Sequence, residues 1–335
     1  LSGLLSGATV ADLLRLCGCS GPKHQRLRRF LDLQLRLYSQ EPADRTAALY
    51  GVTVLSMVQE PLGLWHLHGS MQELSNSLET ALNQAGGELR LRHRVNQLQA
   101  TSSGWCVQGN GPKGKPFNLE ATDVVCSLPP QALPALLGDQ MPAGLQQRVE
   151  GLGDPSGALV LYGAVPREVL PANCPAHLQL DWQQPGSLFI SISQEGDGRA
   201  PADQATVIAS VFTEARRWFE LEPAAYNTAK AEAQTGIEAG LEHLLGLNAN
   251  HWLHRELATP RGFARWTNRP FGFVGGIGQA PDRFGPFGLA SRSPLAGLWL
   301  CGDAIYPGEG TAGVSLSAEM AVRQLLAQRK LGRAA

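Results

Sequence analysis

One stretch near the end of the chain leaves few folds open to it. An apolar strand, Leu298 to Cys301, runs into Gly302-Asp303, then Gly308-Glu309-Gly310-Thr311-Ala312-Gly313, then the apolar helix AGVSLSAEMAVRQLLAQ. Strand, glycine-rich loop and helix in that order fit either the ligand edge of an open α/β sheet, outside the carboxyl ends of the strands, or an ordinary strand-loop-helix with a capped helix. Asp303 stands at that edge, where a carboxylate accepts hydrogen bonds from ligand hydroxyls. The glycines let the backbone approach a flat ring closely. The helix points its positive amide end at whatever sits there. A second glycine string of the same spacing, Gly109 to Gly114, lies between two hairpin strands with no helix after it, and reads as a turn.

The rest of the chain supplies elements around that segment. A helix is expected over 9–20, with Thr9 as N-cap and Asp12 in the first turn. Residues 24–38 fit both periods, since Leu31, Leu33, Leu35 and Leu37 alternate while Leu27, Leu31, Leu35 and Tyr38 stack. Their Leu, Gln and Arg favour helix. Arg26, Arg28, Arg29 and Arg36 make that helix basic, either a solvated face or one that lies on a membrane surface. Met71, Leu74, Leu78 and Leu82 share a helix face that ends at Gly86-Gly87. Short strands LRLRH and RVNQLQAT follow, then hairpins through WCVQGN and FNLEATDVVCSLPP, and a helix over QALPALL. Residues 158–165, 187–193 and 206–213 read as strands, and 223–246 as a helix with Pro223 in its first turn. Residues 259–294, rich in Gly, Pro, Phe and Arg, read as a long irregular and functional stretch.

Composition narrows the function classes. With 43% hydrophobic and 17% charged residues over 335 positions, the chain can bury a sizeable core and form about two domains. A net charge of −1 gives no global pull on nucleic acid. No apolar run reaches the about 18 residues of a membrane span. Patterns of the GxSxG, Walker A and HExxH kinds do not occur. The six cysteines form no CxxC pair and read as buried thiols in a reducing compartment. Cys17 and Cys19 with His24 lack metal-ligand spacing. His66 and His68, sharing a face if on a strand, have no third ligand near in sequence, so no metal is expected.

GLWLCGDAIYPGEGTAGVSLSAEMAVRQLL resembles the C-terminal flavin motif of the carotenoid desaturase and isomerase family, phytoene-desaturase-like enzymes with the amine-oxidase-like FAD fold. HLHGSMQELSNSLETALNQAGGELRLRHRVNQL resembles that family's internal segment at Gly69, Met71, Leu74, Gly86, Gly87 and Val95. ATDVVCSLPP resembles, at Asp123, Val124, Val125, Pro129 and Pro130, the strand that returns to the FAD domain. Within the family the chain most resembles cyanobacterial-type carotenoid 3′,4′-desaturases and their carotene-isomerase relatives. The family's opening strand, glycine loop and acidic residue have no counterpart before Leu67. Leu1 is not methionine, so the chain is expected to begin mid-protein.

The resemblance implies an α/β, amine-oxidase-like FAD/NAD(P)-binding fold lacking its first nucleotide-binding βαβ unit, plus a substrate domain of mixed sheet and helices. Residues 67–130 and 295–335 form the FAD-binding part; 1–66 and 131–294 form the substrate domain. FAD is the implied cofactor, with the Val95 backbone at the adenine and Gly302, Asp303, Gly310, Thr311, Ala312, Gly313 and Val314 around the isoalloxazine-ribityl half. A flavin ring gains negative charge on reduction, and a helix end contributing ~1–2 kcal/mol to the reduced form raises the two-electron potential by ~20–40 mV.

The implied substrate is a carotenoid, desaturated by hydride transfer to the flavin. His68, Phe271 and Phe273 are candidate channel residues, with a structural histidine and ordinary packing as the competing readings. Glu309 is a candidate base, or else a solvent-facing loop carboxylate. Peripheral attachment on the cytoplasmic side of a thylakoid or plasma membrane is expected of an enzyme fed by an insoluble substrate. Three rivals stand beside desaturation. They are cis–trans isomerisation on reduced FAD, amine oxidation with Tyr306 as one wall of an aromatic cage, and a flavin-free remnant that binds a lipid pigment.

Overall fold

The computed structural model describes residues 7–59, 63 and 65–334, with the backbone alone for 331–334. In chain order its elements begin with α1 (Val10–Leu16), α2 (Gln25–Ser39), α3 (Ala48–Met57), α4 (Gln72–Gln84), β1 (Arg94–Thr101), β2 (Gly104–Asn110), β3 (Pro116–Ala121) and β4 (Val124–Cys126). Then come α5 (Leu133–Leu137), α6 (Ala143–Glu150), β5 (Gly157–Pro166), β6 (His177–Leu180), β7 (Leu188–Ile192) and β8 (Gln204–Thr213). The chain closes with α7 (Arg217–Glu220), α8 (Pro223–Leu245), β9 (His254–Ala258), α9 (Pro260–Thr267), β10 (Leu298–Leu300) and α10 (Gly310–Ala334).

Two compact units divide the chain: Leu1–Val58, Arg90–Pro155 and Gly275–Ala335 form one, and Gln59–Leu89 with Ser156–Val274 the other. These contact-based units differ from the division expected on sequence. Residues 67–89 fall with the second unit, while the helices near the start and residues 131–155 fall with the first.

The first unit is built on a parallel pairing of β10 with β4, in which Trp299 lies opposite Val125. Side chains alternate across a strand, so β10 divides its residues between two layers. Leu298 and Leu300 join Cys126, Leu133, Leu136 and Leu145 in the largest core of this unit. Trp299 and Cys301 face the other way and meet Ala318, Ala321 and Leu325 of α10. The α10 helix is tied down at its far end by Arg329, which donates to Asp123 at 2.9 Å. Asp123 in turn accepts from the Trp299 indole at 3.1 Å. The antiparallel β1-β2-β3 sheet brings Leu98 and Trp105 to the same core.

The second unit holds an antiparallel sheet of order β6-β7-β8-β5-β9. The apolar β-branched runs of the sequence become β5, β7 and β8, with β8 alternating buried and half-buried residues along its length. Helix α8 lays Ile237, Leu241 and Leu245 on Leu188, Ile190 and Val207, and stops where Gly246 turns left-handed at φ 73°.

Several local expectations are corrected. LRLRH is not a strand: Arg92 takes a left-handed φ of 59°, and Leu89 and Leu91 stay exposed, so the strand begins at Arg94. The stretch 259–294 is irregular only after α9, which Pro260 opens from the first turn. Helix α1 ends at Leu16, well before residue 20. Of the six cysteines, Cys126 and Cys301 alone are buried. Helix α4 forms, yet none of its residues is buried.

Candidate functional site

The β10–α10 connection is held from inside by backbone. Gly302 turns at φ 114°, and its amide donates to the fully buried Ser317 hydroxyl at 3.1 Å, which staples the strand end to α10. Ile305 then donates back to the Gly302 carbonyl at 3.2 Å, and Gly308 to that of Ile305 at 3.0 Å. Ala304 and Ile305 are buried in the core and anchor the loop. Between them and Gly302, Asp303 stays half-buried at the carboxyl edge of β10. Gly276 passes against it so closely that an added Cβ would lie 2.1 Å from the Asp303 carbonyl oxygen.

The start of α10 is closed on one side and open on the other. A Cβ at Gly313 would sit 2.4 Å from the Gly308 carbonyl oxygen, which leaves no room for a side chain. At Gly310, with φ of 83°, a Cβ would meet nothing within 4 Å. Gly310, Thr311 and Ala312 are exposed, Gly313 and Val314 half-exposed. The first turn of a 25-residue helix is therefore exposed, and Asp303 is half-buried at the other end of the same connection. A flat group with an electron-rich edge and hydroxyls beside it fits that combination of surfaces. The expected isoalloxazine-ribityl residues thus lie on one connection, and Val95 lies on β1 opposite Gly109.

Glu309 immediately precedes the helix. Its Oε2 accepts from the Gln40 side-chain amide at 2.5 Å and the Gly276 backbone amide at 2.8 Å. Tyr50 lies close by. Burial, and then the negative charge of Glu309, push its hydroxyl well above the usual phenol range, so it stays protonated. That hydroxyl donates to the Tyr38 carbonyl at 2.7 Å. Phe284 stands edge-on to Tyr50 and tilts against Tyr306.

The remaining candidates belong to the second unit. Phe273 is 1% exposed and sits in a run Phe219–Phe271–Phe273, with the Arg216 guanidinium 4.1 Å over Phe271. Phe271 itself is half-buried. His68 is exposed, lies in a loop rather than a strand, and covers Gly198. Sequence reasoning weighed His66 but passed over the Asp197 cluster it joins. Asp197 accepts from Arg199 at 2.8 Å and lies 3.3 Å from His66. Burial would raise its carboxyl, but the Arg199 and Gln194 amides and the Arg199 guanidinium bring it down to about 2. His177, lowered by burial and by the neighbouring His66 and Arg199, stacks on Phe189. Gln40, Gly276 and Ser317 were also missed, since no motif marks a residue whose partner is remote in sequence.

Comparison with known proteins places these features in a context. Residues 4–326 match a family described as flavin containing amine oxidoreductase. Prolycopene isomerase, chloroplastic, of Arabidopsis thaliana is 29% identical over 181 residues, 50% of this chain and 30% of that protein. The enzyme of the same name from Daucus carota is 28% identical over 50% of this chain and 29% of its own length. The chain thus spans about three tenths of these relatives. Among solved structures, a putrescine oxidase double mutant superposes with a TM-score of 0.63 at 18% identity, over 96% of this chain and 67% of its own. Cyclohexylamine oxidase from Brevibacterium oxydans IH-35A gives 0.59 at 17% identity, over 96% and 68%. These two likenesses show a shared fold.

Proposed function

The chain belongs to the flavin-containing amine oxidoreductase family, and from that premise we propose that it acts on a carotenoid by cis–trans isomerisation of the polyene. Its cofactor is FAD, as the family implies. The substrate class is supported by the likeness to two prolycopene isomerases over half of the chain. That likeness also favours isomerisation over the net desaturation expected from sequence. The observation that carries the flavin half of the reading is the exposed first turn of α10, reached by a glycine loop that starts at the half-buried Asp303.

When bound, FAD supplies the two-electron exchange: reduced flavin serves isomerisation, and oxidised flavin accepts the hydride in desaturation. This chain's residues bind and orient. The Gly310–Ala312 amides stabilise negative charge on the ring edge. Asp303 accepts hydrogen bonds from hydroxyls next to the ring. A hydrocarbon substrate offers almost no hydrogen bonds, so its affinity comes from buried apolar area at ~25 cal/mol per Å². No helix among the described residues is long and apolar enough to cross a membrane. Delivery of so insoluble a substrate calls for peripheral attachment to a membrane surface, with the basic helix α2 as the proposed contact.

The test is product analysis. The FAD-loaded protein, reduced without oxygen, is given a poly-cis carotenoid in liposomes. Changed geometry at unchanged mass supports the reading. A product lighter by two hydrogens, formed with oxidised flavin, replaces isomerase by desaturase. Turnover of amines with no change in carotenoids overturns the substrate class.

A further inference from the structure

Glu309 sits where three unusual pieces of backbone converge. Gln40, which closes α2, is left-handed at φ 59°. Gly275 is left-handed at φ 68°, and a Cβ there would lie 2.3 Å from the Gln40 amide nitrogen and 2.5 Å from Glu309 Oε2. Gly310, the residue after Glu309, turns at φ 83° to start α10. The two glycines take such a φ freely, but at Gln40, which is not a glycine, it persists only where the surroundings over-determine it. One carboxylate oxygen joins these segments: Glu309 Oε2 accepts from Gln40 at 2.5 Å and from Gly276 at 2.8 Å.

We infer that Glu309 is a positioning residue: it knots the end of α2 and the 275–276 segment to the loop that leads into α10, and so sets the affinity of the protein for FAD. The inference rests on the flavin reading above. Here two donors converge on Oε2, and both are neutral amides placed by backbone that is itself constrained. The knot also explains the glycines at 275 and 276. A side chain at the first would displace the carboxylate, and one at the second would collide with the Asp303 carbonyl.

The experiment compares wild type, Glu309→Gln, Glu309→Ala, Gln40→Glu and the exchanged pair Gln40→Glu/Glu309→Gln in the full chain. Two quantities are read: the FAD dissociation constant by fluorescence titration, and amide hydrogen exchange of residues 302–312 in the flavin-free protein. Glu309→Ala and Gln40→Glu are expected to weaken FAD binding about tenfold or more and speed the exchange, as loss of a charge-assisted hydrogen bond does. Glu309→Gln, which still accepts from Gly276, and the exchanged pair, which restores the amide–carboxylate contact, are expected to stay within about threefold of wild type.

If Glu309→Ala leaves both affinity and exchange unchanged, the knot does not exist. If Glu309→Gln binds FAD normally but loses turnover together with one limb of its pH profile, Glu309 is a base. A wild-type protein that binds no FAD overturns the flavin reading instead, while the exchange data still judge the knot.

Discussion

A single methyl group at Gly276 would lie 2.1 Å from the Asp303 carbonyl oxygen, well inside contact distance. Gly276→Ala must therefore push the 275–276 segment away from the loop. The expected result is a loss of about 1–3 kcal/mol in stability and a fall in FAD affinity, read by urea unfolding and by flavin titration. Asp197 offers a second test, in acid. Its folded carboxyl lies at about 2, below the ordinary 3.8. A depressed carboxylate stabilises the fold above its unfolded value, and that contribution disappears as pH falls through the folded one. Wild type should exceed Asp197→Asn by about 1 kcal/mol at pH 6, after allowing for solvent screening, and the gap should close between pH 4 and pH 2. Urea midpoints across that range measure it. Residues of the two kinds differed in legibility. The connection that carries Asp303 and the glycines of 308–313 was readable because a strand, a turn and a helix follow one another without a gap. Glu309 was readable as a member of that loop but its contact with Gln40 was not, because the two are 269 residues apart. Asp197 carried no motif at all.

Among elements, the strands β5, β7 and β8 and the helices α8 and α10 were legible because apolar period and length agree, so burial and propensity favour one structure. LRLRH failed for the opposite reason. Alternating leucines promise a strand only when something covers them, and at Leu89 and Leu91 nothing does. In α2 two periods competed, and packing decided for helix by burying Leu35 and Ser39 with Leu31 half-covered. The junction of β10 with α10 depends on one hydroxyl. Ser317 is fully buried and accepts the Gly302 amide. Ser317→Ala leaves that amide without its acceptor, at a cost of about 1–3 kcal/mol. Because Gly302 sits at the mouth of the site, the same change should also weaken FAD binding, whereas Ser315→Ala, on the exposed side of the helix, should do neither. Thermal melting with and without FAD distinguishes the two.

At the scale of the molecule, the two cores are separately composed. Leu300 belongs to the core beneath β10 and Ile237 to the core between α8 and the five-stranded sheet. The glycine motif and the open helix end belong to the first unit. A ligand that binds only the folded form stabilises it by RT ln(1 + [L]/Kd), about 2.7 kcal/mol at a hundredfold excess. FAD should therefore raise the melting of the first unit and leave the second nearly unmoved. Truncating a buried leucine or isoleucine costs about 2–5 kcal/mol. Leu300→Ala should then lower the FAD-responsive transition, and Ile237→Ala the other, with calorimetry recording both. If both variants lower a single shared transition equally, with FAD restoring each alike, the two units unfold as one. Binding at the β10–α10 junction would then act on the entire chain, because a site stabilises every residue that must unfold with it.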